Sequence, residues 1–382
     1  MKGGGKGKDL RIDNRIGSVS NVRSNREVFL RGTNDSNLLE EVLLEMRKII
    51  ALALVVTLVL VFGAAASAAP KWTFKMGHAN PAETPYDQSA RKFADLVFEK
   101  TKGQVKVNIF PNNQLGDWTE TFELISRGVV EMGFQIANAQ YDPKLNFAYY
   151  MPYVVRNIEE GKKAYSPGGW AFDIIKGLWL AHDIQPLAVW PVGTAGLSVK
   201  SMPPSPGDPY VKKNMKIRVM GIAACSLTYE ALGYIATPIP YAEVYTAIQT
   251  GIVEGQMGGP PFQAWSFRDV NKVWIQYNDY FETHWVTINK AIWDKLPADI
   301  QKAMQEAANE ASAIRWGQVA TEDEQYRKIL KDDFGWTIVM LSDKELDACA
   351  KKVRKEVWPK MKELLGAELY TTVRINSGSM EN

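Results

Sequence analysis

The chain is poor in the residues from which catalytic and metal sites are usually built. Its 382 residues include two cysteines and three histidines. Cys225 and Cys349 could be oxidised in an exported chain, but nothing in the sequence brings them together, and a chain of this length needs no such staple. The expectation is two free, partly buried thiols. His78, His182 and His284 fall in no H-E-x-x-H or related spacing, which excludes the common zinc-hydrolase pattern. No G-x-S-x-G nucleophile elbow occurs. Cys225 has no sequence neighbour that marks it as a nucleophile, and a small buried apolar role suits it better. The sequence therefore predicts no catalytic residue, no metal and no cofactor. Net charge is also lacking. The formal total is +2, with eight basic and seven acidic residues in 1–45. Arg47 and Lys48 add two more, so 35 basic face 36 acidic residues from Pro70 on. A near-neutral body argues against a nucleic-acid partner, which calls for clustered basic excess. Finally, no apolar run reaches membrane-spanning length. The apolar stretch Ile49–Phe62 has 14 residues, short of the roughly 20 needed.

That stretch has a different use. Residues 46–69 read MRKIIALALVVTLVLVFGAAASAA. Arg47-Lys48 is a charged n-region, Ile49–Phe62 an apolar core, and Ala66-Ser67-Ala68 an A-x-A cleavage site, which together make a secretory signal peptide. Export to the periplasm with cleavage after Ala68 or Ala69 follows. Met46 is then the natural start, and residues 1–45 read as a non-native upstream extension. Gly3-Gly4-Gly5-Lys6-Gly7-Lys8 lacks the spacing, the Ser/Thr after Lys and the preceding strand of a phosphate loop.

The remaining chain, 46% hydrophobic overall, suffices for two domains. Trp72–Met76 alternates as a strand. Thr84-Pro85 starts a helix that runs to Gly103. Gln104–Phe110 and Val129–Phe134 read as strands, with a helix between them, Asp117–Arg127, that opens on the capping box Asp117/Glu120. Strands alternating with helices predict a mostly parallel sheet. Ile184–Val192 is placed as a crossing between domains, and Trp285–Asn289 as the returning strand. A helical pattern covers Pro297–Lys331, about 50 Å at 1.5 Å per residue. Ser342 and Glu345 cap a last helix that reaches Leu365.

The stretch Lys216–Pro260 organises the rest. Ile217-Arg218-Val219 alternates like a short strand with a guanidinium near its end. Ala223–Leu232 is helical and stops at Gly233. Tyr241–Thr250 is a second helix, and Ile252-Val253 begins a strand that runs into a loose Gly-rich segment, Gly255–Gly259. A fixed positive charge at a strand end in an α/β domain makes an anion site. K-I-R-V at 216–219, P-I-P-Y-A-E-V-Y-T-A-I-Q-T-G from Pro238, V-E-G-Q at 253–256, the run Gly103–Asp117 and Met151-Pro152-Tyr153-Val154 together resemble the solute-binding proteins of TRAP (tripartite ATP-independent periplasmic) transporters, DctP type. The resemblance covers Trp72 to Leu365.

It implies an α/β, two-lobed periplasmic binding protein (type II-like) with a long helix spanning both lobes. Residues 70–194 and 285–322 would form lobe I, 195–284 and 323–370 lobe II with the ligand cleft between them, and 371–382 a tail. It implies a monomeric carrier of a small organic anion that delivers its ligand to the small and large TRAP integral-membrane subunits. A ligand-sensing module for a signalling receptor would share the cleft and lack that partner. Arg218 matches the family arginine that pairs with the substrate carboxylate; a guanidinium offers a planar two-donor fork to that group. Further candidates are Tyr241, Trp190, Asn138, His78, Gln256, Gly258, Phe262 and Trp265, although each aromatic also suits ordinary core packing. Three positions depart from the family pattern: Ala195 where many members carry a second arginine, Gly258 where many carry asparagine, and Ile136 near a position that is glutamate in some. These losses favour a monocarboxylate, such as a 2-oxo or 2-hydroxy acid, with an apolar part.

Overall fold

A computed structural model describes residues 40–53, 69–138 and 141–378. Residues up to Ala66 form one unit and Ser67–Asn382 another. In the first unit, residues 40–53 are helical and exposed, with Lys48 paired to Glu45 at 2.8 Å. The expected cleavage site, and most of the apolar core before it, lie outside the described residues. Among the described residues no helix is long and apolar enough to cross a membrane.

The second unit contains two sheets. The first has the order β2-β1-β3-β10-β4. Here β1 (Trp72–Gly77) lies parallel to β2 (Val105–Phe110) and β3 (Met132–Ile136), whereas β10 (Phe281–Asn289) runs antiparallel to β3 and to β4 (Ile184–Thr194). The second has the order β11-β9-β5-β8-β6-β7. It contains β5 (Gly196–Val199), β6 (Lys216–Val219), β7 (Ile235–Pro238), β8 (Gly255–Gly258), β9 (Val273–Gln276) and β11 (Thr337–Met340), with β5 antiparallel to both β8 and β9. The sheets are thus mixed, where the helix–strand alternation predicted a mostly parallel one. The antiparallel strands are those by which the chain enters one lobe from the other, a direction that local alternation does not reveal.

Local chemistry explains the helices. Thr84 caps α1 (Pro85–Lys100), with proline at its first position. Asp117 and Glu120 form the full capping box of α2 (Trp118–Ser126). Short helices α3 (Phe147–Tyr150), α4 (Ile158–Tyr165) and α5 (Trp170–Leu180) lead into β4, and α6 (Ala223–Ala231) and α7 (Val244–Gln249) flank β7. Next come α8 (Pro261–Trp265) after β8 and α9 (Lys290–Asp294) after β10. The long helix is α10 (Ala298–Asp332), 35 residues. Its N-terminal half buries Ile300, Met304 and Ala307 in a core shared with Phe93, Val97, Val286 and Ile288 of the first lobe. Near its other end, Leu330 packs with Trp274 and Trp336 of the second lobe. One helix therefore spans both lobes. Ser342 and Glu345 form the capping box of α11 (Asp343–Leu365), and Gly366, at φ 81°, turns the chain into α12 (Ala367–Asn376).

Several boundaries differ from expectation. Residues 371–376 complete α12, where a tail was expected, because Tyr370 and Val373 are buried at helical spacing. The returning strand starts at Phe281, four residues before Trp285. Val129 is an exposed turn residue after Gly128 (φ 72°), so β3 starts at Met132. Ile252 is likewise exposed, and the strand is the glycine segment itself. A Cβ at Gly255 would lie 2.2 Å from the Ser198 carbonyl oxygen, so only glycine lets β8 approach β5.

The chain crosses between the sheets at Ala195 and again at 277–280. The two crossings are tied by Ala195 N–H to Tyr280 O and Asn278 N–H to Ala195 O, each 2.9 Å. The Gln276 side-chain amide donates to the Thr194 and Ala195 carbonyls. The Met151–Val154 motif anchors here too. Tyr153 N–H donates to Asp279 O, while the Trp358 indole and the Arg354 guanidinium of α11 donate to the carbonyls of Pro152 and Tyr153.

Candidate functional site

Arg218 is the third residue of β6, in register with Gln256 of β8. It is 5% exposed. Nε donates to the Ile239 carbonyl at 2.8 Å, and Nη1 reaches the Met257 carbonyl at 3.5 Å. The guanidinium carbon lies 5.7 Å from the Tyr241 ring centre. No carboxylate among the described residues forms an ion pair with it. Burial pulls the guanidinium below the ordinary arginine value, with Tyr241, Tyr280, Cys225 and Tyr149 as the opposing neighbours. Arginine stays charged through such a shift. A buried cation held only by carbonyl oxygens is suited to a carboxylate, which supplies the missing charge and fits the guanidinium fork.

Around it stand Tyr241, already a candidate, and two tyrosines that sequence reasoning missed, Tyr149 and Tyr280. Tyr149 and Tyr280 tilt together with ring centres 4.5 Å apart. Burial pushes both hydroxyls well above the usual tyrosine value, and the carboxylate of Glu282 pushes them in the same direction. Although Tyr241 is 46% exposed as a residue, its hydroxyl end is crowded. Burial raises it, Arg218 opposes, and Glu282 adds to the rise.

Glu282, the second residue of β10, was also missed. It is 6% exposed. Its Oε1 accepts from the Tyr86 hydroxyl (3.1 Å) and the Gln263 amide (3.0 Å), and it faces His284 Nε2 at 3.3 Å. Its Oε2 accepts from the Gln263 amide at 3.0 Å. No Lys or Arg among the described residues pairs with it. The available signal was the polar pair Glu282/His284 at strand spacing, two residues apart within an otherwise buried strand.

The remaining candidates divide. Gln256 is fully buried beside Arg218, with Nε2 at 3.5 Å from Ser198 Oγ. Gly258 leaves room for it, since a Cβ there would sit 2.6 Å from Gln256 Oε1. Trp190 and Phe262 lie on the Glu282 side, their rings 5.0 and 5.1 Å from Tyr86, and the Arg315 guanidinium covers Trp190 at 4.4 Å. The His78 ring is buried against Phe134, with Nε2 3.2 Å from Asp87 Oδ1. Burial lowers its affinity for a proton, and Asp87 opposes. Asn138 is buried, and its Oδ1 accepts from the Tyr141 N–H. Trp265 is not brought to the site. Its ring lies under the Arg268 guanidinium at 3.8 Å and packs with the second-lobe cluster of Leu330 and Trp336. Ile136 pairs with His284 across β3 and β10, and Ala195 is the buried crossing residue.

Two acids line the crossings. Asp279 and Asp323 are each at most 2% exposed, and burial pushes both carboxyls up to about 7. Both cysteines are free and buried, more fully than expected. Burial raises the Cys225 thiol and pushes that of Cys349 up to about 12. Among the described residues no group of three or more His, Cys, Asp or Glu could hold a metal ion. A groove of about 550 Å³ between α1 and α10, bordered by Gln88, Lys92, Gln318 and Glu322, lies apart from Arg218.

Comparison with known proteins matches residues 76–364 to the bacterial extracellular solute-binding protein family 7, DctP. The chain is 28% identical over 305 residues to the C4-dicarboxylate-binding periplasmic protein DctP of Rhodobacter capsulatus, covering 78% of this chain and 89% of that one. A TRAP periplasmic solute-binding protein from Ochrobactrum anthropi, with its C-terminus bound in the ligand-binding pocket, superposes with a TM-score of 0.71 at 25% identity, over 81% of this chain and 95% of that one. Another from Desulfovibrio salexigens, with bound orotic acid, gives 0.71 at 21% identity, over 80% and 98%. The two lobes, the helix that joins them and a family match over most of the chain lead to one conclusion: the chain belongs to the bacterial extracellular solute-binding proteins of family 7, the periplasmic binding components of TRAP transporters.

Proposed function

We propose that this protein is exported with loss of its signal peptide and captures a small organic monocarboxylate. The favoured class is a 2-oxo or 2-hydroxy acid with an apolar part. The lobes close on the ligand about the crossings at Ala195 and 277–280, and the closed monomer hands it to the small and large membrane subunits. The observation that carries this reading is Arg218, a buried guanidinium with no carboxylate beside it among the described residues. Tyr241, Trp190, Gln256 and Phe262 would shape the cleft, with Gly258 giving room, while His78 and Asn138 would support it from behind. Relatives named for C4-dicarboxylates or for 2,3-diketo-L-gulonate support the broad class of organic acids and leave the individual ligand to experiment. Mass spectrometry of whatever co-purifies, followed by a thermal-shift screen of organic acids, tests the reading. A ligand present at 100 times its Kd adds about 2.7 kcal/mol of stability. A screen in which no carboxylate raises Tm defeats it.

A further inference from the structure

The buried charges near the crossings form an unusual pair. Arg218 and Glu282 are each about nineteen-twentieths buried. Among the described residues Arg218 has no carboxylate partner, Glu282 faces no Lys or Arg and has only the His284 Nε2 at 3.3 Å, and the two do not pair with each other. Yet the same three tyrosines, Tyr149, Tyr241 and Tyr280, lie within electrostatic reach of both. They belong to opposite lobes, Arg218 on β6 of the second sheet and Glu282 on β10 of the first, where it pairs with Gly193 at the crossing. Desolvating an ion without a counter-charge is costly, so Arg218 keeps an unmet demand for an anion, while Glu282 is held by neutral donors and the His284 ring. Three contacts fall on Oε1 of Glu282, whereas among the described residues Oε2 accepts only from Gln263. A carboxylate oxygen has two lone pairs, so Oε2 keeps capacity for one more donor.

We propose that Glu282 is a specificity-determining residue, one that accepts a hydrogen bond from an O–H or N–H donor on the ligand whose carboxylate is held by Arg218. This rests on the reading of Arg218 given above and narrows it. The ligand is a monocarboxylate that carries a hydroxyl or ammonium group. A plain 2-oxo acid has no donor to offer. A dicarboxylate would place its second charge against Glu282 in a water-poor site, where like charges repel strongly. A site that leaves a buried acceptor unpaired discriminates strongly against the analogue lacking the donor.

The test is calorimetric titration with matched probes at two chain lengths, because the span is set by the ligand: lactate, alanine, pyruvate and malonate, then 4-hydroxybutyrate, 4-aminobutyrate, butyrate and succinate. In wild type, the donor-bearing member of the series that fits is expected to bind at least tenfold more tightly than its oxo or alkyl analogue, and the dicarboxylate most weakly. Glu282→Gln, which is neutral and nearly isosteric, is expected to erase the donor preference and to improve dicarboxylate binding tenfold or more. The wild-type ranking stands as evidence even if the variant folds poorly. Monocarboxylate binding that needs Arg218 but shows no donor preference overturns the role of Glu282 and leaves the Arg218 reading intact. Tightest binding by malonate or succinate overturns it as well. Binding of no probe by wild type, or binding indifferent to Arg218→Met, overturns both readings.

Discussion

Arg218→Met separates a binding arginine from a structural one, because the two roles predict opposite signs in two assays. Methionine keeps the length and apolar stem and removes the charge. What the unliganded fold loses is the bond from Nε to the Ile239 carbonyl at 2.8 Å and the long contact to Met257 at 3.5 Å. A hydrogen bond from a charged donor contributes about 1.5–3 kcal/mol, and at 3.5 Å the second contributes little. What the fold gains is relief from burying a guanidinium that has no counter-ion, a penalty of roughly several kcal/mol. The terms offset, so urea unfolding of the ligand-free variant is expected within about 1 kcal/mol of wild type, or above it. Carboxylate affinity behaves in the other way. The bound carboxylate loses its partner in a dry cleft, which costs about 3–5 kcal/mol, or two to four orders of magnitude in Kd. Protein stripped of ligand by unfolding and refolding would be measured by urea titration and by calorimetry. A variant that loses more than about 2 kcal/mol of stability yet keeps its Kd would make Arg218 a structural residue and refute the reasoning.

Four further outcomes are expected. At Gly196 a Cβ would lie 2.4 Å from the Trp274 ring and 2.6 Å from the Ile275 carbonyl oxygen, so Gly196→Ala should lose about 1–3 kcal/mol through overpacking in urea unfolding. Gly177→Ala, with nothing within 4 Å of its Cβ on helix α5, should gain about 0.4–1 kcal/mol as the control. Asp279 and Asp323, raised to about 7 by burial, bind protons in the folded state that the unfolded chain has released above about pH 4. Their contribution to stability is therefore full below about pH 4 and is lost as pH rises through 7, roughly 4 kcal/mol each at most; Asp279→Asn should flatten the fall in Tm between pH 5 and 8, and an unchanged profile would count against it. Ser342→Ala removes the side-chain cap of α11 and should cost about 1 kcal/mol by the same unfolding assay.

What the sequence disclosed and what it hid have separate physical causes. Caps are local, and both capping boxes, the proline start of α1 and the long helix α10 were legible because each depends on residues within one or two turns. The short strand that carries Arg218 was legible through its alternation and flanking motif. Strand direction was not, because β4 and β10 owe their antiparallel pairing to where the chain returns from the other lobe. The β8 strand was read as loose because its glycines look like a loop, while the Ser198 carbonyl 2.2 Å from a would-be Cβ at Gly255 shows that they are a packing demand. The site's polar side was read as depleted at Ala195, Gly258 and Ile136. The structure brings together a polar cluster of Glu282, Gln263 and Tyr86, residues separated by up to 196 positions along the chain, which would supply polar groups there if Glu282 acts as proposed. Only folding brings such residues together.

The placement of the two buried charges also bears on how closure is driven. A ligand shifts an open–closed equilibrium only by the difference in its affinity for the two states. A ligand gripped by one lobe alone contacts the protein equally in both states and shifts nothing. Arg218 stands on the second-lobe sheet and Glu282 on the first, where it pairs with Gly193 next to the crossing at Ala195. Gln263, from the helix after β8, already reaches across to Glu282. A molecule that pairs with Arg218 and donates to Glu282 can complete both contacts only when the lobes are together, so the binding energy of the second contact is available only to the closed form. A ligand with a carboxylate but no donor would be held by Arg218 without favouring closure. On this reasoning the donor preference and the closing motion have a single origin, and Glu282→Gln should weaken ligand-induced compaction in small-angle scattering more than it weakens binding to Arg218.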